Sequence, residues 1–270
     1  MSKDLRVTII QTPIFWEDAV KNIRLLNKTL SKIKKGSTDI IILPEMFSTG
    51  FSMDAVRLAE QVDGLSMQWM RESAIALNAA ICGSIIIKEK SKFYNRLIWM
   101  NPDGTYESYN KRHLFRMADE HKIYSGGKKR LIVNYKGWKI CPLVCYDLRF
   151  PAWSRNSLQQ KTKGTAYDFD VLIYIANWPA IRTFPWSQLL IARAIENQVY
   201  AAGVNRIGKD GNNIPYDGSS VVLDMFGSTL SKTKPNKSSV ETITLSHKAL
   251  SEARVKFPVL LDADKVSVKN

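Results

Sequence analysis

Apolar positions along the chain alternate between two patterns. Short continuous runs such as Arg6–Gln11 (RVTIIQ) and Asp39–Leu43 (DIIIL) predict strands covered on both faces, because a strand with one wet face alternates apolar and polar residues instead. Between these runs, Trp16, Ala19, Val20, Ile23, Leu26, Leu30 and Ile33 recur at the spacing of one helix face. That spacing predicts an amphipathic helix over Trp16–Lys35, closed by Gly36. Ser66–Asn78 reads as a second helix, and Ala79–Lys88 and Phe93–Met100 as strands. Asn101-Pro102-Asp103-Gly104 has turn composition, and Thr105–Lys111 continues as the next strand. Leu131–Tyr135 and Trp138–Val144 pair across Lys136-Gly137. Phe169–Ile175 is a buried strand, Pro185–Gln198 a helix, and Val199–Val204, Ser219–Leu223 and Glu241–Leu245 are late strands. No repeat, low-complexity segment or linker divides the chain. A single layered α/β domain spanning 1–270 is expected, with helices covering a two-sheet centre.

Composition leaves that picture intact. Hydrophobic residues at 45% and charged residues at 24% are ordinary for a chain that buries a large core. The apolar runs fall well short of the ~20 residues that span a bilayer. The opening MSKDLRVTIIQ has no signal-peptide core, so residence in the cytoplasm without membrane association is expected. Three cysteines (Cys82, Cys141, Cys145) argue against a disulfide scaffold, and the three histidines lack metal-ligand spacing. A net charge of +14 raises the question of nucleic acid. The basic residues, however, sit in short scattered clusters such as Lys32, Lys34 and Lys35 or Lys128, Lys129 and Arg130, with no nucleic-acid-binding signature. A positive field that draws in anionic substrates is the better reading.

Three reactive side chains share a setting at the end of an apolar strand. Glu45 follows DIIILP, Lys111 follows TYESYN, and Cys145 follows WKICPLV. Strand ends are where distant parts of an α/β chain converge, and a strand holds its terminal side chain with little freedom. A cysteine nucleophile needs help to lose its proton, since few free thiols are ionised at neutral pH. A carboxylate base at Glu45, with Lys111 balancing charge, suits the sequence better than any of His113, His121 or His247. Taken singly, each residue has a plainer reading: Cys145 as a small buried hydrophobe, Glu45 as a loop glutamate, Lys111-Arg112 as a solvated pair.

Taken together, ILPEMFSTGF, YNKRHLF and VCYDLRFP, in that order and spacing, resemble the nitrilase (carbon–nitrogen hydrolase) superfamily. The likeness continues through IANWP, WSQLLIARAIENQVYAAGVNRIGKDG and YDGSSVVLDMFG, from Leu5 to about Leu245. It implies a four-layer αββα sandwich over a core of about 5–245 with an extension at 246–270, and homodimers packed as αββααββα. The interface is expected along Arg182–Val199 and after Ser246, with the polar tail Lys265–Asn270 frayed or in subunit contact.

The resemblance also implies a Glu–Lys–Cys triad mapping onto Glu45, Lys111 and Cys145. A second glutamate after the lysine strand maps onto Glu120, followed by the matching Tyr124 and Gly126-Gly127. Amide hydrolysis through a thioester on Cys145 is expected, with the Tyr146 backbone N–H and Lys111 facing the oxyanion and no metal or organic cofactor. Arg149, four residues past the cysteine, could clamp a carboxylate or merely pair with Asp147 or Asp168. Asn177 and Trp178 could supply a polar contact and an apolar wall, or packing alone. YNKRHLFRMADEH and AIRTFPW are most similar to bacterial omega-amidases, which cleave the terminal amide of small 2-oxo dicarboxylate monoamides such as 2-oxoglutaramate and 2-oxosuccinamate. The rivals are a nitrilase, an N-carbamoyl-amine hydrolase or an aliphatic amidase with the same triad. A catalytically silent scaffold of the same fold is the alternative of another class.

Overall fold

The computed structural model describes residues 4–161, 164–264 and 266–268. In chain order the strands are β1 (Leu5–Gln11), β2 (Ile40–Ile42), β3 (Ala80–Glu89), β4 (Lys92–Met100), β5 (Tyr106–Asn110), β6 (Val133–Tyr135), β7 (Trp138–Val144), β8 (Leu158–Lys161) and β9 (Gly164–Tyr167). They continue with β10 (Val171–Ala176), β11 (Tyr200–Asn205), β12 (Ile207–Lys209), β13 (Pro215–Asp217), β14 (Val221–Leu223) and β15 (Ser239–Leu245). The helices are α1 (Ala19–Leu30), α2 (Ala55–Leu58), α3 (Leu65–Leu77), α4 (Glu120–Ile123), α5 (Thr183–Asn197) and α6 (His247–Lys256).

Two sheets form the centre, ordered β15-β1-β2-β3-β4-β5 and β14-β11-β10-β7-β6. The period-2 alternation of strands assigns the layers. Val7, Ile9, Ile40, Ile42 and Cys82 join Ile140, Val171 and Ile173 in one core between the sheets. On the opposite face of the same sheet, Ile10, Ile41, Ile81 and Ile85 pack instead under α1 and α3 through Leu26, Leu30, Met67 and Met70. The second sheet is covered by Trp186, Leu190 and Ala194 of α5 and by Leu250 of α6. The layers are therefore helix, sheet, sheet, helix, as expected. Among the described residues no helix is long and apolar enough to cross a membrane.

The first helix departs from its expectation at both ends. It starts after Asp18, whose side chain accepts from the Lys21 N–H at 3.0 Å, and ends at Leu30. Ile33 keeps the apolar rhythm only because a turn returns it to the same core. Gly36 (φ +73°) lies beyond the helix in that turn, where its N–H reaches Leu77 O at 3.1 Å, so it is not the helix cap. The turn at Lys136-Gly137 has positive φ at both residues, the geometry of a tight hairpin. The β8–β9 and β12–β13 hairpins and α6 have no counterpart in the sequence reading. Of the polar tail, positions 265, 269 and 270 lie outside the described residues.

Strand direction brings the reactive positions together. β1, β2 and β3 are parallel, and two antiparallel steps through β4 make β5 run with them. β7, β10 and β11 are likewise parallel in the other sheet. The residues just past β2, β5, β7 and β10 are therefore carried at the carboxyl edges of their sheets.

Candidate active site

Glu45, Lys111 and Glu120 form a buried ionic cluster. Each has 1% exposure or less, so water does not screen them. Lys111 Nζ donates to Glu45 Oε1 at 2.9 Å and to both oxygens of Glu120 at 2.9 and 3.0 Å. The ring of Phe51 also faces it, 5.0 Å from the ammonium. Glu45 Oε2 accepts the Asn177 backbone N–H at 2.8 Å, and Asn177 Nδ2 returns a bond to the Glu45 carbonyl at 2.6 Å. Glu120 opens the short helix α4, and its Oε2 also accepts the Phe115 N–H at 2.6 Å.

Cys145 stands where β7 breaks into a single 3-10 turn, Cys145–Arg149. Its φ of +43° is costly for a side chain with a Cβ. The turn is held from beneath by Asp147, which is fully buried. One of its oxygens accepts from Val144 N–H at 3.1 Å and Tyr109 OH at 2.8 Å, and the other meets the His113 backbone N–H and ring Nδ1. The thiol lies 3.8 Å from Asn177 O and within hydrogen-bonding reach of Glu45. Met46, next to Glu45, also has positive φ, with its N–H fixed by Ser84 Oγ at 2.8 Å.

The electrostatics describe a neutral thiol at rest. Burial pushes the Cys145 pKa well above the usual thiol range, Glu45 and Glu120 push the same way, and Lys111 only partly offsets them. Burial opposes the charge on Lys111, yet Glu120 and Glu45 outweigh it and the ammonium is held more firmly than in water. Glu120 is raised by burial, with Glu45 adding to the effect against the pull of Lys111. Two carboxylates already share one cation, so a thiolate would be a third negative group. Passing the thiol proton to a carboxylate keeps the cluster's net charge unchanged, so the site favours proton transfer coupled to attack over a standing thiolate.

Above the cluster lies a cavity of about 600 Å³ that reaches both Lys111 and Cys145. Tyr146, Arg149, Asn177 and Trp178 all line it. Arg149 lies with its guanidinium carbon 4.9 Å from the Trp178 ring. The carboxylates of the alternative pairing are engaged elsewhere, Asp147 with His113 and Asp168 with Arg130. Asn177 spends its N–H groups on Glu45, and Trp178 anchors its indole N–H on Arg182 O at 2.7 Å while forming a wall.

The sequence reading missed Asn95, Phe51 and Asp147. Asn95 lies within a strand, Phe51 in a loop, and Asp147 works from under the turn. Asn95 carried only a faint signal, an amide side chain beside Arg96 just ahead of the apolar run Leu97–Met100.

A comparison with protein families matches residues 6–255 to the carbon–nitrogen hydrolase family, and the chain belongs to it. Omega-amidase YafV of Escherichia coli strain K12 is 44% identical over 97% of each chain. The 2-oxoglutaramate amidase of Bacillus subtilis strain 168 is 32% identical, covering 96% of this chain and 97% of the other. The crystal structure of XC1258 from Xanthomonas campestris, a CN-hydrolase superfamily protein with an arsenic adduct in the active site, superposes with a TM-score of 0.94. It is 42% identical, over 99% of this chain and all of that one.

Proposed function

We propose that this protein is an omega-amidase, hydrolysing the terminal amide of a small 2-oxo dicarboxylate monoamide to the acid and ammonia. The observation that carries this reading is the shared cavity. It is lined by Cys145 and Lys111 together with an arginine, Arg149, that lies over the Trp178 ring. That combination suits a substrate with an amide at one end and a carboxylate at the other, and the likeness to omega-amidase YafV and 2-oxoglutaramate amidase supports the same substrate class.

In the proposed mechanism Glu45 takes the Cys145 proton as sulfur attacks the amide carbon. Lys111 and the Tyr146 backbone N–H stabilise the oxyanion. Glu45 returns the proton to the nitrogen, the C–N bond breaks, ammonia leaves, and an acyl thioester remains. Water then gives a proton to Glu45 and attacks the thioester. The C–S bond breaks and sulfur regains its proton. Glu120 orients Lys111, Arg149 clamps the substrate carboxylate, and Asn177 and Trp178 shape the pocket.

We also infer one domain over 1–270 and a homodimer in the cytoplasm. The exposed apolar residues Ile195 on α5 and Val255, Phe257 and Leu261 at and beyond the end of α6 support an interface on that helical layer.

Ammonia release from 2-oxoglutaramate, 2-oxosuccinamate, glutamine, asparagine, an N-carbamoyl amine and a nitrile tests the substrate. The 2-oxo amides are expected to turn over fastest. Cys145→Ala abolishes this turnover, and Arg149→Ala weakens kcat/KM about 10–100-fold for the anionic amides alone. Preference for the nitrile or the N-carbamoyl amine, or indifference to Arg149→Ala, overturns the reading.

A further inference from the structure

Asn95 lies on β4, has 1% exposure and does not reach the cavity wall. Its Nδ2 donates to Glu45 Oε1 at 2.7 Å and reaches Glu120 Oε1 at 3.4 Å. With carboxylates on that side, only the NH₂ end of the amide can face them, so its orientation is determined. Its own carbonyl oxygen has no hydrogen-bond partner among the described residues. A buried amide that leaves one end unsatisfied is held by what its other end does.

The donor count at Glu45 gives that bond a consequence. A carboxylate oxygen offers two lone-pair directions. At Oε1 one is used by Lys111 Nζ at 2.9 Å and the other by Asn95 Nδ2. At Oε2 one is used by the Asn177 N–H, leaving one open. The backbone carbonyl of the same residue accepts the Cys145 thiol, so Oε2 and sulfur are both held against Asn177. We propose that Asn95 is a positioning residue of the reaction: by closing Oε1 it leaves Oε2 as the proton-accepting oxygen of Glu45 and holds that oxygen toward Cys145. This rests on the amide-hydrolase reading above for its kinetic consequences, and on geometry alone for the thiol's reactivity.

The charged and titratable groups facing Glu45 are Lys111, Glu120, Cys145 and, less directly, Tyr124. Asn95→Asp keeps the shape but sets a third carboxylate against Glu45 and Glu120, raising the proton affinity of Glu45. Its acid limb in kcat/KM is expected to move up by about one pH unit or more. Asn95→Leu removes the donor at similar volume. It is expected to lower kcat about tenfold or more with KM within about twofold, since Asn95 touches no substrate. Asn95→Ser, which keeps a hydroxyl donor, is expected to recover part of the rate.

The experiment pairs these profiles with the pH dependence of Cys145 alkylation by iodoacetamide, followed by mass spectrometry on folded variants matched by circular dichroism. That second readout needs no substrate. If wild type hydrolyses none of the amides while the alkylation profile still shifts in Asn95→Asp, the function fails and the positioning role stands. If wild type is active but Asn95→Asp and Asn95→Leu leave kcat, the acid limb and the alkylation profile unchanged, the positioning role is overturned. A rise in KM with kcat unchanged also overturns it, by making Asn95 a binding residue. Should Asn95→Leu not fold, Asn95→Asp, which also removes the donor, carries the comparison through its kcat, acid limb and alkylation profile.

Discussion

At the scale of single residues, the site turns on how burial and charge compete. Cys145 retains 9% exposure through the cavity, whereas Cys82 and Cys141 are fully enclosed in the core. Burial also pushes the Cys141 thiol up to about 12 and Cys82 higher still. Timed alkylation with peptide mapping should therefore label Cys145 first, and Cys145→Ala should remove the fast phase. Equal labelling of all three would contradict the enclosure. Lys111 balances two buried carboxylates, so Lys111→Met should leave them uncompensated and cost several kcal/mol at neutral pH. Their folded pKa values would then lie above the unfolded carboxylate range. Such groups stabilise the fold at low pH and lose that contribution as pH rises through the folded value. The melting deficit of Lys111→Met should thus be smaller at pH 5 than at pH 8, and a pH-independent deficit would count against this electrostatic account.

At the scale of elements, strand ends and turns do the positioning. The chain enters β2 through Asp39, which accepts from the Arg6 backbone N–H at 2.8 Å and from Lys136 Nζ at 2.5 Å. It thereby ties the first sheet to the hairpin leading into the cysteine strand. Burial raises its pKa, but the bonds from Arg6 and Lys136 outweigh that and bring it to about 2. A depressed carboxylate stabilises the fold above the unfolded value near 4 and stops doing so as pH falls through about 2. Asn at this position should cost about 2 kcal/mol at neutral pH, with the deficit closing between about pH 4 and pH 2. Denaturant titrations of wild type and Asp39→Asn across that range read it directly. Gly127 shows the same tight tolerance: its N–H bonds Lys111 O at 3.0 Å, and an added Cβ would meet Asn110 O at 2.1 Å.

At the scale of the whole molecule, one core joins both sheets and the α5–α6 layer, while α1 and α3 close a separate one. The outer α5–α6 layer is tied down by Arg254 of α6, which donates to Asp170 Oδ1 at 2.6 Å and to Phe169 O at 3.0 Å. Beyond that anchor, Val255, Phe257 and Leu261 face outward. In the proposed dimer they are covered. Val255→Asp combined with Phe257→Asp should then convert a dimer to a monomer in light scattering, whereas a wild type that already runs as a monomer would refute the interface.

Much of this was legible in the sequence, because local rules govern it. Apolar periodicity marked most of the strands in both sheets and the helices α3 and α5, and ordered motifs singled out Glu45, Lys111, Glu120 and Cys145. The limits of α1 were misjudged because Ile33 keeps the apolar rhythm from a turn, which periodicity cannot distinguish from another helical turn. Short hairpins and α6 escaped because their burial comes from what they pack against. Asn95 and Asp147 were invisible as site residues for a related reason: each matters through carboxylates or backbone brought from dozens of residues away. Residue types and their order determined the family and the chemistry available. Only the tertiary structure decided which oxygen of Glu45 is free and that Arg149 faces the cavity, because hydrogen-bond saturation and burial depend on distances between strands that no local pattern encodes.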